Sequence, residues 1–285
     1  DIPDEQIAFL GKRPEVCASA EELITRLRPD GILIGTRCSL HAGYAAEVLP
    51  SGIPLFLEKP VATTFEDWRM LKEAADRHPT PVVVSHPLRL TTMVQLVKEI
   101  ADSGVIGTIE HVQAVNNVPY GGVYYHSWYR DENETGGLFL QKATHDFDYI
   151  NFVLGQRATG VMAMTSKQIF KGDKPAGLKC IDCEENRTCA DSTVGKPEEQ
   201  IWPHCSFAVD TGNEDSGSAL LRYESGMHVS YSQNFFARRE AGRRGATFLG
   251  YKGTIEFDFM TGIVRVVHHH RGRVDTYRFE KGEGH

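Results

Sequence analysis

The chain has 285 residues, more than a typical single domain, so we expect two domains. Hydrophobic residues make up 41% and charged residues 24%, which excludes collagen-like, low-complexity and intrinsically disordered proteins. The 31 Lys and Arg residues are outnumbered by 38 Asp and Glu residues, and the resulting net charge of −7 argues against nucleic acid as the main partner. No apolar run approaches the roughly 18 residues that cross a bilayer, and no signal-like segment is present, so we expect a cytoplasmic protein that is not bound to a membrane.

The first third of the chain alternates short apolar runs with helical periods, the pattern of a doubly wound α/β domain. The apolar runs are predicted to be parallel strands with helices on both faces, at residues 31–36, 53–57 and 81–85. The helical periods predict helices at residues 20–27, 40–49, 65–77 and 92–103. Ser19, Ser39 and Thr64 are the predicted N-caps of the first three helices.

Beyond residue 105 the runs become longer and alternate apolar with polar residues, which is typical of an antiparallel sheet with one open face. Strands are predicted at residues 106–116, 219–231, 246–259, 263–270 and 273–279, and one strong helix at residues 138–154. We therefore predict a dinucleotide-binding domain over residues 1–105 and an α+β domain for substrate binding and oligomerisation over residues 106–285. Val229 and Tyr231 are assigned to the open face, where packing of two sheets would produce a homodimer or homotetramer.

Three residues follow the predicted strand at 53–57 directly: Glu58, Lys59 and Pro60. This position is the carboxyl end of a parallel strand, where ligands bind in open α/β sheets. Pro60 restricts Lys59 to extended geometry, and a lysine near an apolar cofactor surface can exchange a proton with a substrate hydroxyl. A solvated lysine at a strand end is an equally good interpretation of these residues alone.

The helix predicted at residues 138–154 places Gln141, His145 and Asp148 on one face, with Lys142 within reach. A carboxylate one turn after a histidine can orient it as a general base near neutral pH. A histidine alone at this place would be read as an ordinary core residue, and its combination with Lys59 favours a functional role.

These segments together resemble the Gfo/Idh/MocA family of nicotinamide-dependent sugar and polyol oxidoreductases. The likeness is carried in order by residues 36–41 (TRCSLH), residues 58–60 (EKP), and Gly136 and Gly137 followed by residues 145–148 (HDFD). Residues 86–89, 102–107 and 250–254 add to it, so that it covers nearly the whole chain. The tripeptide alone is a weak signal, whereas the ordered set is fairly specific.

The resemblance implies an α/β Rossmann-like doubly wound domain followed by an α+β domain with a large, mainly antiparallel open-faced sheet. It implies hydride transfer between NAD or NADP and a hydroxyl-bearing carbon of a sugar, inositol or related polyol. Lys59 and His145 would share proton transfer at the hydroxyl, and the Lys59–Pro60 peptide would be cis. The contacts that it implies for the cofactor are Thr36, Ser39, His41, Glu58, Lys59 and Pro60.

Two features depart from the family pattern. Gln141 stands where dehydrogenases of the family commonly have an Asp, and because an amide is not a base, a Lys-Asp-His relay is not assumed. Lys142 beside it would bind an acidic substrate or make Lys59 easier to deprotonate. The glycine-rich fingerprint for the pyrophosphate is absent, so we expect this sequence, from Asp1 to His285, to lack an N-terminal glycine-rich unit and a C-terminal end; a truncated pseudoenzyme is the alternative.

An aromatic stretch at residues 118–132 lies between the predicted sheet and the predicted helix. Aromatic rings stack on sugars and arginine can grip an acidic group, although packing or an oligomer contact is the more common role of such a stretch. The predicted substrate contacts are Arg89, Tyr120, His126, Trp128, Gln141, Lys142 and Asp148.

Four cysteines are predicted to bind a structural zinc ion in the irregular loop 171–205: Cys180, Cys183, Cys189 and Cys205. An iron–sulfur cluster could use the same ligands, and reduced thiols, or disulfides in an exported protein, are the alternatives. Two other functions also stay open for the whole chain. One is NAD-dependent glycosidase-type chemistry on the same scaffold, and the other is a non-catalytic sugar-binding or regulatory role.

Overall fold

A computed structural model of the chain describes residues 11, 13–197 and 199–280. Its internal contacts divide the chain into two units, Asp1–Ser85 and His86–His285. Each unit has a sheet and a hydrophobic core of its own. The division falls before the predicted domain boundary at residue 105, because the helix Thr92–Asp102 packs against a helix of the second unit.

The first unit contains a parallel sheet with the strand order β1-β2-β3. Its strands are β1 (Ile32–Ile34), β2 (Leu55–Leu57) and β3 (Val82–Val84). Its helices are α1 (Ala20–Glu22), which continues into a π-helical turn (Leu23–Leu27), α2 (His41–Val48) and α3 (Phe65–Arg77). Short 3-10 turns lie on either side of α2, at Cys38–Leu40 and Leu49–Ser51. Strands and helices therefore lie at the predicted places, with shorter strands.

The three helices pack on one face of this sheet. Residues of α1, α2 and α3 share a core with Ile34, Leu55 and Leu57. Alternate strand residues point away from that core, and Leu33, with 69% of its surface exposed, and Val83, with 61%, remain accessible. The predicted Rossmann-like α/β domain is confirmed by the family profile, and the three described helices contribute to a single core on one side of the sheet.

Side-chain caps fix where two of these helices begin. The Ser19 hydroxyl accepts a hydrogen bond from the Glu22 backbone, and the Thr64 hydroxyl accepts one from the Asp67 backbone, as predicted. The prediction of Ser39 as a cap is wrong. The chain first makes a 3-10 turn at Cys38–Leu40, so that α2 begins only at His41.

The second unit contains an eight-stranded sheet with the order β11-β10-β9-β8-β4-β7-β6-β5. Its strands are β4 (Ile109–Asn117), β5 (Gly160–Ser166), β6 (Ser216–Arg222), β7 (His228–Asn234), β8 (Arg243–Gly250), β9 (Gly253–Asp258), β10 (Ile263–His268) and β11 (Arg273–Arg278). The pair β4 and β7 is parallel, and the other pairs are antiparallel. The large, mainly antiparallel sheet is thus confirmed, and two predicted strands are in fact hairpins.

The second unit also contains helices, of which the two longest share a hydrophobic core with one face of the sheet. The helices are α4 (Thr92–Asp102), α5 (Val123–His126), α6 (Glu132–Thr135) and α7 (Leu138–Leu154), with 3-10 turns at Pro87–Leu90, Trp128–Arg130, Cys180–Asp182 and Arg239–Ala241. Helix α7 has the predicted bounds and ends at Gly155, whose φ is +64°. Among the described residues, no helix combines the length and the apolar character that crossing a membrane requires.

Val229 and Tyr231 lie on the covered face rather than the open one. Both are buried in the core that α4 and α7 share with the sheet. Because side chains alternate along a strand, the neighbouring positions of β7 on the open face are Ser230 and Ser232. The prediction that assigned Val229 and Tyr231 to the open face is therefore wrong by one residue of register.

Candidate functional site

The first part of the candidate site is the carboxyl edge of the three-stranded sheet. Ile34 at the end of β1 is paired with Leu57 at the end of β2, so the segments that follow them start side by side. Thr36 lies on the first segment, and Glu58, Lys59 and Pro60 on the second. The sequence prediction that Lys59 stands at the carboxyl end of a parallel strand matches this arrangement.

A buried histidine ties these two segments together. Nδ1 of His41 lies 2.8 Å from the Pro60 carbonyl oxygen, and Nε2 lies 3.1 Å from the Thr36 carbonyl oxygen. Only 1% of the His41 surface is exposed. His41 therefore holds the loops after β1 and β2 at a fixed separation.

The segment Glu58 to Pro60 is held by its own backbone and side chains. The Glu58 amide donates to the Ile34 carbonyl over 3.0 Å, and the Lys59 amide donates to Glu58 Oε2 over 3.3 Å. The Lys59–Pro60 peptide is cis, as the resemblance implied. Glu58 and Lys59 are half-buried, and so is Ser39 in its 3-10 turn. The predicted cofactor contacts thus lie along one sheet edge, where His41 and Pro60 are buried and the side chains of the other four are at least partly accessible.

In the second unit, two glycines set the start of helix α7. Gly136 and Gly137 have φ angles of +66° and +100°, positive values that residues with a Cβ atom rarely adopt. A Cβ atom on Gly137 would stand 3.2 Å from the carboxylate of Glu214. That carboxylate accepts a hydrogen bond from the Phe139 amide and so caps the helix. The glycines therefore allow a side chain from a distant segment to fix the helix that carries His145.

Gln141 and His145 are both buried on this helix. The Gln141 amide donates to the Thr135 carbonyl over 2.8 Å, so it fastens the glycine turn to the helix. The His145 ring is 8% exposed and meets the His86 ring edge-on, with 6.0 Å between ring centres. Position 141 therefore has a structural contact here in place of the acid that the family commonly has.

Lys142 lies in a cage of tyrosines. Its ammonium donates to the Tyr120 hydroxyl oxygen over 3.1 Å. It also lies 5.1 Å from the centre of the Tyr120 ring and 5.0 Å from that of Tyr124, within the range of cation–π attraction. The structure thus brings two predicted substrate residues, Tyr120 and Lys142, into direct contact.

Two other predicted substrate residues pair with each other. Arg89 Nε donates to Asp148 Oδ2 over 2.8 Å, and a second guanidinium nitrogen contacts Asp148 Oδ1. The hydrogen bond to Asp148 raises the pKa of Arg89. Both carboxylate oxygens are thus engaged by Arg89, and orientation of His145 by Asp148 stays a prediction.

A cavity of about 600 Å³ borders helix α7. Its walls include polar side chains and two phenylalanine rings, at His86, Thr144, Asp148, Asn151, Glu214, Phe139 and Phe147. Carboxylates and amides that accept and donate hydrogen bonds, beside flat apolar rings, match the alternating polar and CH surfaces of a sugar or polyol.

The other two ring-bearing residues that were predicted to bind substrate, His126 and Trp128, make contacts of a different kind. Nδ1 of His126 donates to the His204 carbonyl and lies 3.9 Å from the Cys180 sulfur. Trp128 stacks on Tyr129 with 3.8 Å between ring centres. His126 therefore belongs to the packing of the cysteine-rich loop, and its predicted contact with substrate stays a prediction, as does that of Trp128.

The structure adds Asp146, which the sequence analysis did not select. Its carboxylate is fully buried and accepts hydrogen bonds from Asn116 over 2.8 Å, Tyr231 over 2.7 Å and Arg244 over 2.9 Å. These partners lie on β4, β7 and β8, so Asp146 fastens helix α7 to three strands. The neighbouring position of Asp146 and His145 in the motif was the available signal, but its partners are far away in sequence.

The four cysteines of the loop are free thiols. Burial opposes ionisation of Cys180, but hydrogen bonds from His126 and Thr193 outweigh it and lower the pKa of Cys180 to about 7. Burial raises the pKa of Cys205, and the charges of the other three thiols raise it further. Within residues 13–197 and 199–280, however, no three His, Cys, Asp or Glu side chains are grouped so that they could hold a metal ion. Zinc at these cysteines stays a prediction, which metal analysis of the purified protein tests.

Two sequence profiles match the chain. The profile of the oxidoreductase family with an NAD-binding Rossmann fold matches residues 9–86, and that of the GFO/IDH/MocA C-terminal domain matches residues 94–256. The chain belongs to the Gfo/Idh/MocA family. The family that the sequence motifs predicted is thus confirmed.

Curated relatives and solved structures of this family are similar to the chain at low identity. YteT of Bacillus subtilis (strain 168) is 26% identical over 274 residues, which are 85% of this chain and 64% of YteT. Inositol 2-dehydrogenase of Rhizobium meliloti (strain 1021) is 26% identical over 148 residues, 52% of this chain and 43% of that enzyme. The chain therefore spans less than two thirds of either relative. The structure of levoglucosan dehydrogenase with NADH and levoglucosan is similar to this chain with a TM-score of 0.75 at 18% sequence identity. The match covers 99% of this chain and 70% of the levoglucosan dehydrogenase chain, which shows a shared fold.

Proposed function

We propose that this protein transfers a hydride between NAD or NADP and a hydroxyl-bearing carbon of a sugar, inositol or related polyol. The observation that carries the proposal is the sheet edge where His41 joins the segment of Thr36 to that of Pro60, directly after Lys59, in a chain of an NAD-binding oxidoreductase family. When bound, the nicotinamide gives or takes the hydride. The protein supplies the binding surface and handles the proton.

The residues present suit a nicotinamide cofactor. Thr36, Ser39 and Glu58 offer hydroxyl and carboxylate groups at the carboxyl ends of adjacent parallel strands, the edge at which such folds bind dinucleotides. His41 and Pro60 are buried at this edge, so their contribution is to support the accessible residues. Selection between NAD and NADP depends on a residue that contacts the ribose of the dinucleotide. None of the residues named here is assigned to that contact.

The proton at the substrate oxygen is assigned to Lys59 and His145. Lys59 is half-buried at the cofactor edge, and His145 is the buried histidine of helix α7. In oxidation, either side chain in its neutral form accepts the hydroxyl proton, and in reduction it returns that proton. A polyol substrate is supported by the cavity beside α7, with Asn151, Glu214 and Phe139 in its walls, and by the similarity to inositol 2-dehydrogenase.

The test is a spectrophotometric screen of polyols and sugars with NAD and NADP, followed by Lys59→Ala and His145→Ala on the best pair. Each variant is expected to lose about 100-fold or more in turnover, because each removes a group that moves the proton. His78→Ala is a matched control, since His78 ends helix α3. Full activity of both variants contradicts the proposal, and calorimetric sugar binding without any cofactor binding points to a non-catalytic relative.

We also propose that the protein forms a homodimer or homotetramer. Strand β5 is one of the two edge strands of the large sheet, and Val161, Met162 and Met164 on it are 70%, 72% and 78% exposed. Exposed apolar side chains along an unpaired edge favour contact with a second copy. Light scattering at micromolar concentration tests this, and Met162→Glu is expected to shift the mass toward a monomer. A monomeric wild-type protein contradicts it.

A further inference from the structure

A second cavity in the larger unit has different wall residues from the cavity beside α7. Its volume is about 320 Å³, and three segments of this unit form its walls. They are residues 119–126, which end with α5, the later part of the irregular loop 171–205, and the segment after β7. The wall includes Tyr120, His126, Asp191, Lys196, Trp202 and Arg238. The volume is at the lower end of the range for small-molecule sites, so the cavity suits a single small ring.

An ion pair joins the loop to the segment after β7 and fixes this wall. Arg238 Nη2 donates to Asp191 Oδ1 over 2.8 Å. Its Nη1 donates to the carbonyl oxygens of Phe235 and Ala237 over 3.0 Å and 2.9 Å. The guanidinium also lies 5.7 Å from the centre of the Phe170 ring. Both segments are therefore held in place before a ligand enters, which lowers the entropic cost of binding.

The charged side chains of the wall leave one positive charge in excess. They are two cations, Lys196 and Arg238, and one carboxylate, Asp191, with His126 counted as neutral. Arg238 and Asp191 neutralise each other in their ion pair, so the remaining charge is that of Lys196, which is exposed. One accessible ammonium group suits a ligand that has a single negative charge, and a carboxylate is the simplest such group.

The wall also offers an apolar ring face and a hydrogen-bond acceptor. Trp202 is half-buried, and no ring among the described residues stacks on it, whereas Trp128 stacks on Tyr129. Aromatic faces in ligand sites pack against apolar surfaces such as the CH groups of a sugar ring. Nδ1 of His126 donates to the His204 carbonyl, so Nε2 of the neutral ring carries the lone pair and can accept from a hydroxyl group.

We propose that this cavity is a second ligand site, which binds the ring of a sugar acid with its carboxylate at Lys196 and its CH face on Trp202. His126 and the free oxygen of Asp191 accept hydrogen bonds from the hydroxyl groups of the ring. A simple aromatic acid would use the indole and the ammonium group but would leave both acceptors without donors. The inference goes beyond the proposed redox reaction, because this site takes its ligand without a nicotinamide.

The first experiment is calorimetry of the full chain without nicotinamide, with uronic and aldonic acids, their neutral sugars and benzoate as probes. At least one sugar acid is expected to bind one-to-one and about 10-fold or more tightly than its neutral counterpart, because a charge-assisted hydrogen bond is added. Lys196→Gln should remove this preference and leave the affinity for the neutral sugar unchanged, whereas Lys196→Arg should keep it. Lys252→Gln, at another exposed lysine, is the matched control.

Three outcomes of this calorimetry overturn the inference. One is that no sugar acid binds, and another is that benzoate binds while the sugar acids do not. The third is that Lys196→Gln binds the sugar acid as tightly as the wild type does.

The second experiment locates the ligand by tryptophan fluorescence. Addition of the sugar acid should change the emission of the wild type and of Trp68→Phe, since Trp68 lies on α3 in the other unit, but not that of Trp202→Phe. A change that persists in Trp202→Phe means that the sugar acid binds elsewhere, and the inference is then wrong. The two proposals fail separately, because fully active Lys59→Ala and His145→Ala variants contradict the redox function and leave both binding experiments valid.

Discussion

Asp146 and Arg244 form an ion pair that the fold buries almost completely. The Arg244 Nε atom donates to Asp146 Oδ1 over 2.9 Å, and the exposed fractions of the two residues are 0% and 4%. A charge in the protein interior is tolerated only where its partner and its hydrogen bonds are present. The pair therefore makes the position of α7 on the sheet depend on a strand far along the chain.

Removing one partner of this pair should be costly. Asp146→Ala is expected to lower the free energy of unfolding by about 3–5 kcal/mol, because Arg244 is left buried without its carboxylate. The control is Glu256→Ala, which removes the exposed partner of Arg265 and should cost about 1 kcal/mol or less. Urea denaturation measures both, and equal losses in the two variants would contradict the prediction.

Replacement of two glycines by alanine is expected to change the stability of the protein in opposite directions. A Cβ atom on Gly121 would stand 2.2 Å from the Phe235 carbonyl oxygen, so Gly121→Ala should destabilise the protein by about 1–3 kcal/mol. Gly43 lies in helix α2 with open space around it, so Gly43→Ala should stabilise the protein by about 0.4–1 kcal/mol. Thermal unfolding followed by circular dichroism compares the two. A stable Gly121→Ala variant would show that the segment beside Tyr120 can move.

Cys180 should ionise near neutrality. Its pKa of about 7 lies below the ordinary value for a thiol, so the thiolate predominates above pH 7 and disappears as the pH falls through that value. The ionised form stabilises the fold, and this contribution is present in full only above the pKa of the unfolded chain. NMR of 13Cβ-labelled cysteine, assigned with Cys180→Ser, measures the midpoint. His126→Ala should raise it, and an unaltered midpoint would exclude His126 as the cause.

His41 should matter for cofactor binding without touching the reaction. His41→Ala removes the ring whose two nitrogens contact the Thr36 and Pro60 carbonyls, and the loss of the hydrogen bond that its N–H donates costs about 1–3 kcal/mol of stability. The loops after β1 and β2 then lose their fixed separation, and the dissociation constant for NADH is expected to rise. Calorimetry measures it, with His111→Ala on the large sheet as control. If the variant binds NADH as tightly as the wild type does, His41 does not contribute to cofactor binding and the prediction is wrong.

Much of the fold could be predicted because the local signals agree with the tertiary structure. Helix α7 has the predicted bounds, since its apolar period, the glycines before it and Gly155 after it all mark one segment. Strand β5 was missed because it is an edge strand with most side chains exposed, so the burial pattern that marks a strand is absent. Ser39 was misassigned because a 3-10 turn carries no distinct sequence signal.

The candidate site could be predicted less completely. The positions of Lys59 and His145 follow from motifs that lie within single elements. The contacts of Asp146 with Arg244, 98 residues away, and of Arg89 with Asp148, 59 residues away, arise only when distant elements pack. Two residues predicted to bind substrate, Arg89 and Asp148, thus proved to bind each other.

Strand β4 has both of its neighbours far downstream. It runs parallel to β7 and antiparallel to β8, and His111 is paired with His228, 117 residues later in the chain. During synthesis, therefore, β4 leaves the ribosome with neither edge satisfied, and it remains so until residues 228–250 have been made. Helix α7, although local and complete much earlier, has no finished sheet to dock on before that point. The middle of the sheet in the second unit can therefore be completed only after most of the chain exists, and a ribosome that stalls before β7 leaves β4 without either of its neighbours.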